Sequence, residues 1–136
     1  MIVVPCGNRK LASSAAAADL YQGPYFGACL KWARSNVSDD QIRILSGKYG
    51  FLRLDRVIAP YNAKLKGSLT AEQIEILRAT SADIEPDALI VGGRNYYRAA
   101  RIALPNARWL TPRMGLRHTG MGYQLQWLKM HNGMIP

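Results

Sequence analysis

The chain of 136 residues contains no carboxylate after Asp87. All nine acidic residues lie earlier, five of them between Glu72 and Asp87, while Arg94, Arg98, Arg101, Arg108, Arg113, Arg117 and Lys129 follow. A hydrolase built on paired acids therefore has nothing to draw on in the C-terminal third. A general acid or base has to come from Asp19, Asp55, a lysine, His118 or the substrate itself. Histidine is as scarce: His118 and His131 stand apart, no Cys or His cluster has zinc spacing, and no Ser, His and acid arrangement presents itself. Neither a metal nor a cofactor is expected. Two cysteines, Cys6 at a strand end and Cys29 on a helix face, exclude a disulfide framework and indicate reduced thiols in a cytoplasmic protein. No apolar run approaches the ~20 residues of a membrane helix, and no charged-then-apolar leader is present. Internal repeats, linkers and low-complexity tracts are also absent, so residues 1–136 are expected to form a single α/β domain.

What is present is a globular composition, 49% hydrophobic, with 18 basic residues giving a formal charge of +9. That excess suits a polyanionic partner, nucleic acid or nucleotide; the plainer alternative is a solvated face that aids solubility. Three apolar strands each run directly into small, polar and cationic residues. Residues 2–5 lead to Cys6, Gly7, Asn8 and Lys10. Residues 42–45 lead to Ser46, Gly47, Lys48, Tyr49 and Gly50, and residues 88–91 to Gly92, Gly93, Arg94, Tyr96 and Tyr97. Parallel neighbours of this kind bring their polar ends to one edge of the sheet, where open α/β sheets bind ligands.

Between the strands the helix signals are specific. Pro24 is placed as the first residue of a helix to about Ser35, with Phe26, Cys29, Leu30 and Ala33 on one apolar stripe. Ser13 and Ser14 offer caps for a turn over 15–20. Residues 51–58 show no dominant period and indicate an ordered loop crossing the sheet edge. Thr70 with Gln73 makes a capping box for a helix to about Ser81, with Ile74 and Leu77 inward. Asn95 is expected to cap a helix from Tyr96 to Leu104. A fourth short strand spans Ala107–Thr111, closed by Pro112. A mobile basic loop follows over 113–122, and a last helix, about Gly122 to His131, sets Met121, Leu125 and Leu128 on one side with Trp127 beside them. The order implies a small Rossmann-like domain: a mostly parallel sheet of about four strands with helices on both faces.

Lys10 and Lys48 follow two strand ends at similar offsets, either as phosphate clamps or, if desolvated beside another cation, as nucleophile or base. Gly7 and Gly47 would let backbone amides approach an anion. Cys6 is a candidate nucleophile or a small group lining the pocket. Gly92 and Gly93 before a helix form half a phosphate loop, without dinucleotide spacing or a P-loop lysine. Tyr49, Tyr61, Tyr96 and Tyr97 offer faces for stacking on a base, or anchor loops through their hydroxyls. The candidate pocket is completed by Asn8, Ser46, Gly120 and Gly122, with Arg94, Arg98, Arg113 and Arg117 along a nucleic-acid backbone.

The stretch Ile44 to Leu52, continuing to Ile58-Ala59-Pro60-Tyr61 and Leu65, resembles the L-S-x-x-Y-G-L-L and I-x-P-Y signature of the YaaA-like peroxide-stress proteins. It is closer to a small relative in phages and actinobacteria known only as a domain of unknown function. Pro5-Cys6-Gly7 with Lys10, Leu20-Tyr21 with Gly23 and Phe26, and Gly120-Met121-Gly122 with Gln124-Leu125 and Trp127-Leu128 extend the resemblance over most of the chain. It implies nucleic-acid association and a link to base modification. The block Pro5-Cys6 to Lys10 is also similar to one in archaeosine synthase, which would make Lys10 the reactive residue; here Leu11-Ala12-Ser13-Ser14 follow it instead of that enzyme's Tyr, Ser and His. Three functions remain: a nucleobase- or nucleotide-recognising domain acting on nucleic acid, as a base-modifying or N-glycosyl-processing enzyme; a non-catalytic DNA-binding protein; and a free-nucleotide sensor.

Overall fold

A computed structural model describes residues 1–118 and 120–136. Strand β1 (Ile2–Pro5) leads through the two-residue strands β2 (Arg9–Lys10) and β3 (Ala15–Ala16), helix α1 (Ala17–Leu20) and β4 (Tyr21–Gln22) into helix α2 (Pro24–Asn36). After a 3-10 turn come β5 (Ile42–Ser46), β6 (Gly50–Leu52) and β7 (Val57–Ile58), then helix α3 (Ala71–Thr80), β8 (Leu89–Ile90) and helix α4 (Arg94–Ala103). The chain closes with β9 (Arg108–Trp109), α5 (Leu110–Arg113) and α6 (Met121–Met130).

Five strands form the main sheet in the order β6-β5-β1-β8-β9. β1 lies parallel to both β5 and β8, and β8 parallel to β9; only β6 is antiparallel. Because side chains alternate along a strand, Ile2, Val4, Ile42, Ile44 and Leu89 pack into one apolar cluster with α2 and α6. Val3, Leu45 and Ile90 pack into another with α3 and α4. Both sheet faces are thus covered by helices. α2 begins at Pro24 and buries Phe26, Cys29, Leu30 and Ala33, as its spacing predicts, and adds Trp32, whose indole N–H donates to His131 O at 3.0 Å. Within β5 the buried Arg43 turns its guanidinium to Asp40 O, Ile42 O and the Asp83 carboxylate at 3.0 Å. The hydrogen bond from Arg43 holds the Asp83 carboxyl below its usual range.

Several expectations change. The stretch after Gly50 is not a loop: Gly50, at φ 69°, turns the chain back so that Leu52, Phe51 and Gly50 pair with Ile44, Leu45 and Ser46, giving five main strands instead of about four. A three-residue strand is too short to show a period. Ser13 and Ser14 cap nothing, because Ala15–Ala16 pairs with Val57–Ile58 and α1 starts from Ala16 without a side-chain cap. α4 starts at Arg94 with Gly93 as its N-cap, so Asn95 lies inside the first turn. Pro112 does not close a strand but sits in the first turn of α5, where its missing N–H has no intrahelical partner to lose. α6 buries Gln124, Trp127 and Leu128, leaving Met121 63% exposed. Of the loop expected over 113–122, residue 119 lies outside the described residues, while Arg113 and Gly122 belong to α5 and α6.

Candidate functional site

β1 and β8 part company at Pro5 and Gly92. Pro5 has no N–H to carry the ladder further, and its ring lies where a Gly92 Cβ would come within 3.1 Å, so the neighbouring strand leaves at a residue with no side chain and φ 121°. The chain from β1 returns through α2 to β5 on one side; the chain from β8 returns through α4 to β9 on the other. A crevice is left where the two connections diverge. It forms a cavity of about 650 Å³, lined by Cys6, Gly7, Asn8 and Arg9 after β1, by Gly93, Arg94, Asn95 and Tyr96 after β8, and by the segment Ala63–Leu65. Gln22 to Phe26, Met121 and Gln124 complete the wall.

Two helix starts, those of α2 and α4, line this cavity with their first turns, α6 reaches it through Met121 and Gln124, and all three are bare. α2, α4 and α6 begin from Gly23, Gly93 and Gly120, with no side chain capping their first turns. Of the helices that do not line the cavity, α1 and α5 also start without a side-chain cap, while α3 carries the full capping box: Thr70 accepts from Gln73 N and Gln73 from Thr70 N. Uncapped first turns leave N–H groups and the positive end of the helix dipole available to an anion. The cationic lining residues are Arg9, Lys64 and Arg94, and no Asp or Glu is among the lining residues.

The inner wall is held by phenols. Tyr96 OH donates to Cys6 O at 3.0 Å and lies 3.6 Å from Cys6 Sγ. Tyr25 OH donates to Gln124 Oε1 at 2.7 Å, and Thr111 Oγ1 and the Trp109 indole both donate to Gly92 O. Burial pushes the Tyr25 and Tyr96 phenols upward, so at neutral pH both are donors and not bases. Among the described residues no three His, Cys, Asp or Glu side chains come together to hold a metal.

Residues 1–130 match DUF6884, a family of unknown function. The chain belongs to that family. No curated protein matches it.

In this DUF6884 chain the residues singled out from sequence divide into three groups. Cys6, Asn8, Gly93, Arg94 and Tyr96 line the cavity. Lys10, Ser46, Tyr49 and Tyr61 form a separate cluster: Ser46 Oγ lies 2.6 Å from Tyr61 OH, which also bonds Tyr21 OH, and Lys10 Nζ sits 4.5 Å from the Tyr61 ring centre. Burial pushes Tyr61 upward and Tyr21 up to about 12. Ser46 Oγ accepts from the amides of Lys48 and Tyr49, closing the hairpin turn between β5 and β6. The exposed Lys48 side chain lies over Tyr49 on that turn, outside the cavity lining, because the chain doubles back instead of opening at the sheet edge.

The remaining residues do other work. At Gly47 a Cβ would come 2.7 Å from Ala63 O, so the close passage of the 63–65 segment by itself requires glycine there, and Gly47 is not among the cavity lining. Gly92 is shaped by Pro5, and Gly120 and Gly122 lie in the start of α6 without lining the cavity. Arg98 lies on the outer face of α4, while Arg113 and Arg117 are exposed after β9. Sequence inspection missed Arg9, Tyr25, Phe26, Lys64 and Gln124. The available signal was Gly23-Pro24, a bare helix start directly after a short strand.

Proposed function

We propose that this DUF6884 chain recognises a nucleotide in the cavity between β1 and β8, with the phosphate at the starts of α2 and α4 and the base against Tyr25, Phe26 and Leu65. One observation carries the proposal: the uncapped starts of α2 and α4 and three cations meet at a cavity whose lining holds no carboxylate. A cavity of about 650 Å³ falls in the range of small-molecule sites and accepts a nucleotide with room at its mouth. The parallel order β5-β1-β8-β9 supports a Rossmann-like description, in which ligands sit where strand connections diverge. Kinship with the YaaA-like proteins is part of the same proposal. It is supported by the way the two signature segments meet, the β5–β6 hairpin against Tyr61. Two free thiols favour a reducing, cytoplasmic setting. Base modification or N-glycosyl chemistry, where it follows binding, falls to Cys6 and Lys64, the nucleophiles that line the cavity, in preference to Lys10 and Lys48.

Thermal melting against nucleobases, nucleosides and nucleoside monophosphates tests this. A nucleotide at roughly 100-fold its Kd adds about 2.7 kcal/mol of stability. That gain is expected for a monophosphate and not for its nucleoside, lost in Arg9→Gln, and kept in Lys48→Ala. Equal shifts from nucleoside and nucleotide, or loss in Lys48→Ala alone, would move the site away from the helix starts.

A further inference from the structure

We infer that the ligand is one nucleotide of a single-stranded nucleic acid, whose neighbouring nucleotides lie along the outer face of α4; this depends on the cavity being a nucleotide site, as proposed above. Arg94, Arg98 and Arg101 recur at i, i+4 and i+7, with Tyr97 among them, so they share one stripe of the helix. At about 1.5 Å per residue, the three cations stand about 6 and then about 4.5 Å apart along the axis. With Trp109 of β9 they line a groove of about 370 Å³. Arg94 lines the cavity as well, so cavity and groove meet at one side chain.

This row runs against the interests of the helix. Like charges four residues apart repel, and a cation in the first turn opposes the helix dipole. Neither Arg94 nor Arg98 has an acidic partner among the described residues, a state they share with Arg108, Arg113 and Arg117, whereas Arg34 and Arg53 are paired with Asp39 and with Asp40 and Asp55. Only Arg101 is tied down, to Pro105 O at 3.0 Å and over the Tyr97 ring at 5.7 Å. A counter-anion from outside the chain removes the conflict. The groove also has an aromatic wall, a pair of rings stacked on each other, so that their outer faces and edges remain for a further ring. Tyr97 and Trp109 stack with centres 4.9 Å apart and planes 7° apart, and the Trp109 N–H is fixed on Gly92 O. Unpaired bases stack on such a wall while the cations follow the phosphates. A duplex, with its bases enclosed, has no use for it.

The test compares labelled 12-nucleotide single strands, DNA and RNA, with a duplex of the same sequence by fluorescence anisotropy at several salt concentrations. Mononucleotide melting shifts are measured on the same proteins. Wild type is expected to bind the single strands more tightly than the duplex or the mononucleotide; preference between DNA and RNA reads the sugar. Arg98→Gln/Arg101→Gln is expected to lose about tenfold in strand affinity and to flatten the salt slope by about 1 to 2, with its mononucleotide shift unchanged. Tyr97→Leu should weaken strands without changing that slope. A strand bound no better than the mononucleotide, equal binding of duplex, or an unaffected double variant overturns the inference and leaves the cavity in place. Strand binding with no mononucleotide shift and no effect of Arg9→Gln overturns the cavity itself, and with it delivery of a nucleotide into it.

Discussion

Cys29 and Cys6 show how strongly position decides the behaviour of one residue type. Cys29 is fully buried against the sheet under α2, and burial pushes its thiol up to about 12. The thiolate is the reactive form, so Cys29 should be inert at neutral pH in the folded chain. Cys6 lines the cavity and is only half-buried. A disulfide-exchange reagent is therefore expected to modify one thiol per native chain and both in denaturant, and a nucleotide in the cavity should slow the modification of Cys6. Rapid native reaction of both thiols would contradict the packing of α2. At this scale sequence was informative about Cys29, since its i, i+3, i+4 neighbours mark a buried stripe. It could not show that Gly47 serves the passing chain, because the contact with Ala63 joins residues far from any local pattern.

Among the elements, α3 does more than its cap suggests. Gln73 completes the capping box and its side-chain N–H₂ also donates to Gly47 O at 3.1 Å and Lys64 O at 3.0 Å. It thereby joins the hairpin turn, the 63–65 segment and the helix start. Thr70→Ala should cost about 1 kcal/mol as an ordinary lost cap. Gln73→Ala keeps the bond from its backbone N–H to Thr70 Oγ1 but takes the acceptor away from Thr70 N and leaves two carbonyls without that donor, so about 2 kcal/mol is expected. Denaturant midpoints measure both; equal losses would mean that the two cross-links carry nothing. The capping box and the Pro24 start are legible in sequence because both are local devices with fixed spacing. The β5–β6 hairpin and the β3–β7 pair are not, since strands of two or three residues are made by partners remote in sequence. The same holds for α6, where Gln124 is drawn inward by Tyr25 and Met121 is left outside.

For the whole molecule, the three apolar strands with polar ends predict a parallel sheet with a crevice at one edge, and the structure has that sheet. Which strand ends face one another depends on the order β5-β1-β8-β9, which no single segment encodes. That order selects β1 and β8 over β5, and with them the starts of α2 and α4 over Lys48. It also lays the arginines of α4 beside the cavity mouth. The most direct measurement is an amide NMR titration of the isotope-labelled chain with a nucleoside monophosphate. A nucleotide phosphate at the helix starts is expected to give saturable shifts at Gly7, Asn8, Arg9, Tyr25, Phe26, Arg94, Asn95 and Tyr96, the amides after β1 and in the first turns of α2 and α4. Shifts confined to Lys48 and Tyr49, or spread over the exposed arginines and fading with salt, would contradict it.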